Sequence, residues 1–159
     1  SNVEVRSTID DEDKKIFYPV FIRKHEKKSF EIHFSHESKG TQEIFMNIHR
    51  YVYCLSTGGI LALDEFDIHL HSLILPYIIS IFEDNNSNSK GSQFIFTAHN
   101  TEIIDALGKY RTILVNKEDN ESYAYRLDEI PGSIIRNDRP ISPLYLSRKI
   151  GGVPTAHEL

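Results

Sequence analysis

Two adjacent acids, Asp64 and Glu65, close a short apolar run, Ile60-Leu61-Ala62-Leu63. An acid pair in that position can divide the work of phosphate chemistry. The first carboxylate can hold a hydrated Mg²⁺, a hard cation that takes oxygen ligands while keeping its waters. The second can accept a proton from an attacking water. Taken alone the pair is equally an ordinary strand end or a helix cap. His99 follows a second apolar run, Gln93-Phe94-Ile95-Phe96-Thr97, and as a neutral imidazole it could donate a hydrogen bond to a phosphate oxygen or simply serve its own loop. Ser38 and Gly40 lie in Glu37-Ser38-Lys39-Gly40-Thr41-Gln42, ahead of a helical pattern. There they can present unpaired backbone N–H groups to an anion or merely cap the helix. Asp67, His69 and His71 alternate, so an extended backbone would put all three on one face, a set that could bind Zn²⁺ or Mn²⁺.

The elements that must position these residues follow from periodicity. Residues 1–15 carry Asp10, Asp11, Glu12, Asp13, Lys14 and Lys15 and read as a flexible, solvated lead-in. Ile16–Arg23 and Ser29–Phe34 are rich in aromatic and β-branched residues and read as a strand pair, with polar His25–Lys28 between them. Ile44, Phe45, Ile48, Val52 and Leu55 recur at helical spacing and predict a helix over Thr41–Ser56, with Thr41 as a candidate N-cap and Gly58-Gly59 as its end. Ile60–Leu63 lacks alternation, which predicts a strand buried on both faces. A helix over His71–Phe82 requires Pro76 to lie in its first turn. Beyond it come a polar loop at Glu83–Ser92, a strand at Gln93–Thr97, a short helix at Thr101–Leu107 closed by Gly108, and strands at Arg111–Asn116 and Ser122–Leu127. A last short helix falls at Leu144–Lys149. Strand, helix, strand, helix, strand argues for an α/β layer with parallel pairs, in which functional loops leave the carboxyl ends of the strands. Asp64-Glu65 and Thr97–Asn100 both sit at such ends.

Composition bounds the function. The chain has 159 residues, 40% hydrophobic and 26% charged, which fits a folded domain and excludes wholesale disorder. Its formal charge of −5 argues against a strongly basic nucleic-acid module, although Lys14, Lys15, Arg23, Lys24, Lys27 and Lys28 make one region locally basic and leave nucleic-acid contact open. One cysteine, Cys54, excludes an internal disulfide and a thiolate metal cage; it fits a reducing, cytoplasmic setting and, lying among apolar helical residues, is expected to be buried and inert. No apolar run has membrane-spanning length. Ser1-Asn2 reads as a cloning remnant, so the expectation is that the chain is part of something longer.

Together these segments are more specific than any one of them. A Ser-x-Gly turn opening a helix, an apolar strand ending in Asp-Glu, and a later strand ending in Ala-His-Asn resemble the C-terminal half of an ABC-type ATPase. In particular they resemble the AAA-family ATP-binding proteins of restriction loci and phage abortive infection. The matching segments are Glu37–Gln42, Gly58–His71, Gln93–Glu102 and Leu144–Pro154, so the resemblance runs from about residue 30 to residue 154. It implies the C-terminal part of an ABC-type P-loop NTPase fold over residues 16–159, with parallel strands and flanking helices. It further implies that Ile60–Asp64 is the Walker B strand, that Asp64 supports Mg²⁺, that Glu65 polarises the hydrolytic water and that His99 senses the γ-phosphate of ATP. Ser38 and Gly40 would form the signature turn, which reaches ATP held by a second subunit. Asp67–His71 would be the D-loop lining the seam of that homodimer. The signature turn has fewer glycines than in transporters, and Ser72 stands where the family usually has Pro directly after His71.

One absence matters as much. No G-x-x-x-x-G-K-[ST] loop occurs anywhere in the chain. That loop cradles the phosphates, and phosphoryl transfer depends chiefly on positioning and charge stabilisation. The expectation is an ATPase only when joined to an N-terminal P-loop half, inactive by itself, and acting in phage defence by ATP-dependent dimer closure on an effector nuclease or toxin. Two other readings stay open: a metal-dependent nuclease or hydrolase built on Asp67, His69 and His71, and a non-catalytic interaction module.

Overall fold

The computed structural model describes residues 2–25, 28–118, 120–136 and 138–153. Pro154 and Lys27, named above in the tail motif and the basic cluster, lie outside the described residues, as do residues 155–159.

Residues 2–15, read above as a lead-in, carry a strand and a tight turn. Asn2–Ile9 forms strand β1, paired antiparallel with β2 (Lys15–His25), which in turn pairs with β3 (Lys28–His33). Val3, Val5 and Ile9 alternate with Glu4, Arg6 and Thr8, a strand period that the acidic cluster masks. That cluster is the hairpin turn: Asp10 accepts hydrogen bonds from the backbone N–H groups of Glu12 and Lys14, and Asp13 adopts a left-handed φ of 59°. Three of the basic residues nearby are partnered by acids, Arg6 with Glu31 and Glu4, Lys14 with Glu12, and Arg23 with Glu37. Val20 and Phe21 bury the inner end of this sheet, where Phe21 meets the rings of Phe34 and Phe45.

Helix α1 (Lys39–Thr57) begins two residues earlier than its apolar period predicts. Its N-cap is Ser38, not Thr41: the Ser38 hydroxyl accepts the Thr41 N–H at 3.2 Å, satisfying one of the first-turn donors that have no helical partner. Gly58 ends it at a φ of 76°, and a side chain there would lie 2.9 Å from the Lys90 carbonyl. Cys54 is buried on this helix, with its Sγ 3.3 Å from the Gly59 carbonyl oxygen, as its apolar neighbours predict.

Strands β4 (Ile60–Leu63) and β5 (Gln93–Phe96) pair in parallel, so the fold is mixed α/β with a parallel pair. The described residues cover one face of that pair. Leu63, Phe94 and Phe96 pack on a core of Phe66, Leu75, Ile78, Ile79 and Ile103, contributed by the turn after β4 and by helices α2 (Leu75–Glu83) and α3 (Glu102–Leu107). On the other face Ile60 and Ile95 are 68% and 57% exposed. The expectation of burial on both faces is corrected accordingly: the apolar run is there, but the described residues supply a layer on one side only. Pro76 lies in the first turn of α2, where its missing N–H costs nothing.

The strand after α3 does not extend the parallel pair. It is β6 (Ile113–Glu118), which pairs antiparallel with β7 (Glu121–Arg126) as a separate hairpin. A second core of Ile104, Leu114, Leu127, Ile135, Ile141 and Ile150 binds this hairpin to α3 and to the short helix α4 (Ser142–Leu146). The Asp105 carboxylate fixes the start of α4 by accepting from the Ile141 and Ser142 N–H groups and the Ser142 hydroxyl.

Candidate functional site

The carboxyl ends of β4 and β5 bring Asp64, Glu65, Thr97 and His99 together. The parallel register places Leu63 beside Phe96, so the next residues of the two strands emerge side by side. The ladder continues past both strands, with the Thr97 N–H donating to the Leu63 carbonyl at 3.1 Å and the Phe66 N–H to the Thr97 carbonyl at 3.0 Å. Thr97 then knits the acid pair: its hydroxyl donates to Asp64 Oδ1 and accepts the Glu65 N–H at 2.6 Å. Sequence reasoning placed Thr97 in the cluster at the end of its strand but gave it no role of its own. Its only signal was a hydroxyl residue at the end of a strand that also ends in His.

Glu65 adopts a left-handed φ of 47°, unusual for a residue with a β-carbon. The bend turns its side chain toward the neighbouring strand, and Glu65 Oε1 lies 3.4 Å from His99 Nε2. The His99 side chain is 77% exposed, so the ring meets solvent on the side away from Glu65. Backbone strain at a polar, open position is the pattern expected where a fold holds a side chain for chemistry.

Asp67 does not point along a strand face with His69 and His71. Residues 67–70 form a turn, with His69 at a φ of 66°. Asp67 Oδ2 accepts the backbone N–H groups of His99 at 3.0 Å and Asn100 at 2.8 Å. His71 Nδ1 accepts the Leu73 N–H at 3.2 Å. The extended conformation on which a three-residue metal site depended is therefore not formed, and among the described residues no group of three or more His, Cys, Asp or Glu side chains converges on a metal position.

Ser38 and Gly40 lie on the far side of that turn. Ser38 spends its hydroxyl on Thr41, bonding both the N–H and the side-chain oxygen, at 3.2 and 2.9 Å. Gly40 has a distinct reason to lack a side chain: a β-carbon there would sit 2.8 Å from the His69 carbonyl oxygen. The structure thus brings Asp64, Glu65, Asp67 and His99 into one constellation, and connects Gly40 to it through the backbone of the 67–70 turn.

Two cavities flank the constellation. One, of about 430 Å³, opens between α1 and the free edge of β4 and is lined by Asp64, Glu65, His69, Glu43, Asn47 and Arg50. Glu43, Asn47 and Arg50 follow at helical spacing on one face of α1, a polar stripe that the sequence reading passed over. Tyr51 also borders this cavity, and burial pushes its phenol pKa up, with Glu43 adding to the effect. The other cavity, of about 470 Å³, runs between the free edge of β5 and β6, lined by Phe94, Ile95, Phe96, His99, Ile113 and Leu114.

The donor set fits Mg²⁺ of one kind only. A single exposed carboxylate with one oxygen engaged by Thr97 cannot cage the ion, but Mg²⁺ is commonly held by one or two carboxylates together with substrate phosphates and water. Asp64 can therefore serve a cation that arrives with a phosphate.

No helix in the described residues is long and apolar enough to cross a membrane. No curated protein matches the chain. A family model described as "AAA domain, putative AbiEii toxin, Type IV TA system" matches residues 1–105, a span that includes β1 through most of α3 and every residue of the constellation. The chain belongs to that AAA-domain family of AbiEii toxin-like proteins.

Proposed function

We propose that this chain carries the Walker B, D-loop, switch and signature segments of an ABC-type ATPase, and that it hydrolyses ATP when joined to a P-loop half. The observation that carries the reading is the meeting of Glu65 and His99, 3.4 Å apart beyond two parallel strands, with Asp64 beside them. In this reading Asp64 holds Mg²⁺, which supplies charge neutralisation to the phosphates when bound. Glu65 orients the attacking water and takes its proton. His99 donates to the terminal phosphate from its exposed edge. Ser38 and Gly40 present the first turn of α1 to ATP held by a second copy, and Asp67 belongs to the turn at that seam, so hydrolysis couples to opening and closing of a homodimer.

The uncovered surfaces support a P-loop half as partner. Among the described residues β5 pairs with β4 alone and β6 with β7 alone, so each leaves an edge free toward the slot of about 470 Å³ between them. Ile60, Ile95, Ile113 and Val115 are all apolar strand residues left exposed. A parallel strand carrying a phosphate loop and a helix would pair those edges and cover that apolar face.

The biological role proposed is phage defence by abortive infection in the cytoplasm, the dimer gating an effector nuclease or toxin, with nucleic-acid contact left to that complex. The test is ATP turnover by this chain alone and with its P-loop half supplied. Turnover only in the second case supports the reading. A folded assembly that neither binds nor hydrolyses ATP overturns it and leaves the interaction module.

A further inference from the structure

The 67–70 turn is held on two sides by different parts of the fold. On one side the α-carbon of Gly40, in the first turn of α1, packs so closely on the His69 carbonyl that a β-carbon there would lie 2.8 Å from that oxygen. On the other, Asp67 Oδ2 takes the N–H groups of both His99 and Asn100. Asp67 Oδ1 is buried and has no hydrogen-bond partner among the described residues, so within them the carboxylate is held by these two backbone donors. His69 within this turn, and Glu65 just before it, are non-glycine residues in the left-handed region.

We infer that Asp67 is a positioning residue that transmits displacement at the Gly40–His69 contact to His99, linking the signature turn to the switch histidine within one chain. A push on His69 moves the turn as a unit, because the chain between His69 and Asp67 is closed by the Leu70 N–H donating to the Asp67 carbonyl at 3.1 Å. Asp67 then carries the His99 backbone with it, and the His99 ring shifts relative to Glu65. Packed elements joined by hydrogen bonds carry coupling of this kind. That the ring meets a phosphate rests on the ATPase reading, whereas the mechanical link does not, so nucleotide-free protein reads the link alone.

The experiment is NMR on this chain without nucleotide. Gly40→Ala forces the His69 carbonyl to give way. The expected result is a change in the amide signals of His99 and Asn100 and in the His99 ring signals, which disappears when Asp67→Ala is added. Asp67→Ala alone is expected to speed amide exchange at His99 and Asn100 by about tenfold or more, the scale of one lost hydrogen bond to a charged acceptor. The N–H groups of Phe66 and Thr97, which bond across the strand ends, should keep their rates. A variant that only loosened the fold would raise all four. Should Asp67→Ala fail to fold, Asp67→Asn decides, since a neutral amide oxygen is a weaker acceptor and should speed exchange at the same two amides by a smaller factor. Signal changes from Gly40→Ala that stop at the 67–70 turn, or that reach His99 equally with and without the Asp67 carboxylate, overturn the inference, as do unchanged exchange rates in both Asp67 variants.

Discussion

Replacing Glu65 by glycine should leave the chain more stable than replacing it by alanine, although both remove the carboxylate proposed to orient water. At a φ of 47° the Glu65 β-carbon crowds the backbone, a cost of about 1–2 kcal/mol for an L-residue. Glycine escapes that cost but loses about 0.5–1 kcal/mol through its freer unfolded state. The balance leaves Glu65→Gly about 0–1.5 kcal/mol more stable than Glu65→Ala, which keeps the β-carbon and the strain. Alanine is the right comparison because both variants lose the same carboxylate and the same contact to His99. At His49, exposed in the middle of α1, the order reverses, with Gly about 1 kcal/mol less stable than Ala. The assay is urea unfolding followed by far-UV circular dichroism, with the midpoint compared at constant slope. A Glu65→Gly chain less stable than Glu65→Ala would show that the backbone there is not strained, and would remove the argument that the fold spends stability to aim this side chain.

Leu75 is fully buried in the core under β4 and β5, so Leu75→Ala should cost about 3–5 kcal/mol by urea unfolding, and a loss under 1 kcal/mol would contradict the packing described. Thr97→Val keeps the shape but removes the hydroxyl that joins Asp64 to the Glu65 N–H. Because the residue is exposed and water can replace part of the loss, the cost should be about 1 kcal/mol, largely restored by Thr97→Ser. Asp84 accepts from the Asn86 N–H and the Ser87 hydroxyl, and these bonds hold its carboxyl below the usual range. A depressed folded-state pKa contributes stability above the unfolded value and loses it as pH falls through the folded one. Asp84→Asn should therefore flatten the stability profile below about pH 4, and an unchanged acid limb would contradict the turn geometry.

How far the sequence revealed the fold depends on how local each signal was. The α1 period, the Gly58 stop, Pro76 in the first turn of α2 and the two apolar runs were readable because each rests on neighbouring residues. Strand β1 was hidden because charge in its turn outweighed a plain alternation. The pairing of β6 with β7 was not readable, since a strand does not announce its partner, and the expected parallel addition lost to a nearer antiparallel one. In the site, Asp64, Glu65 and His99 stood out as polar residues ending apolar strands. Thr97 did not, because its role exists only across the strand pair. Asp67 was legible as part of the motif, whereas its grip on the His99 and Asn100 backbone is a long-range contact of a kind that no spacing encodes.

The central claim is that Glu65 serves hydrolysis at a site completed by a P-loop half. The most direct measurement is ATP binding and turnover by the joined protein with Glu65→Gln, which keeps the size and hydrogen-bonding reach of the side chain but cannot take a proton. The account predicts that ATP still binds, that turnover falls by about a hundredfold or more, the scale of a lost general base, and that the dimer accumulates in its ATP-bound form. Turnover at the native rate would contradict it.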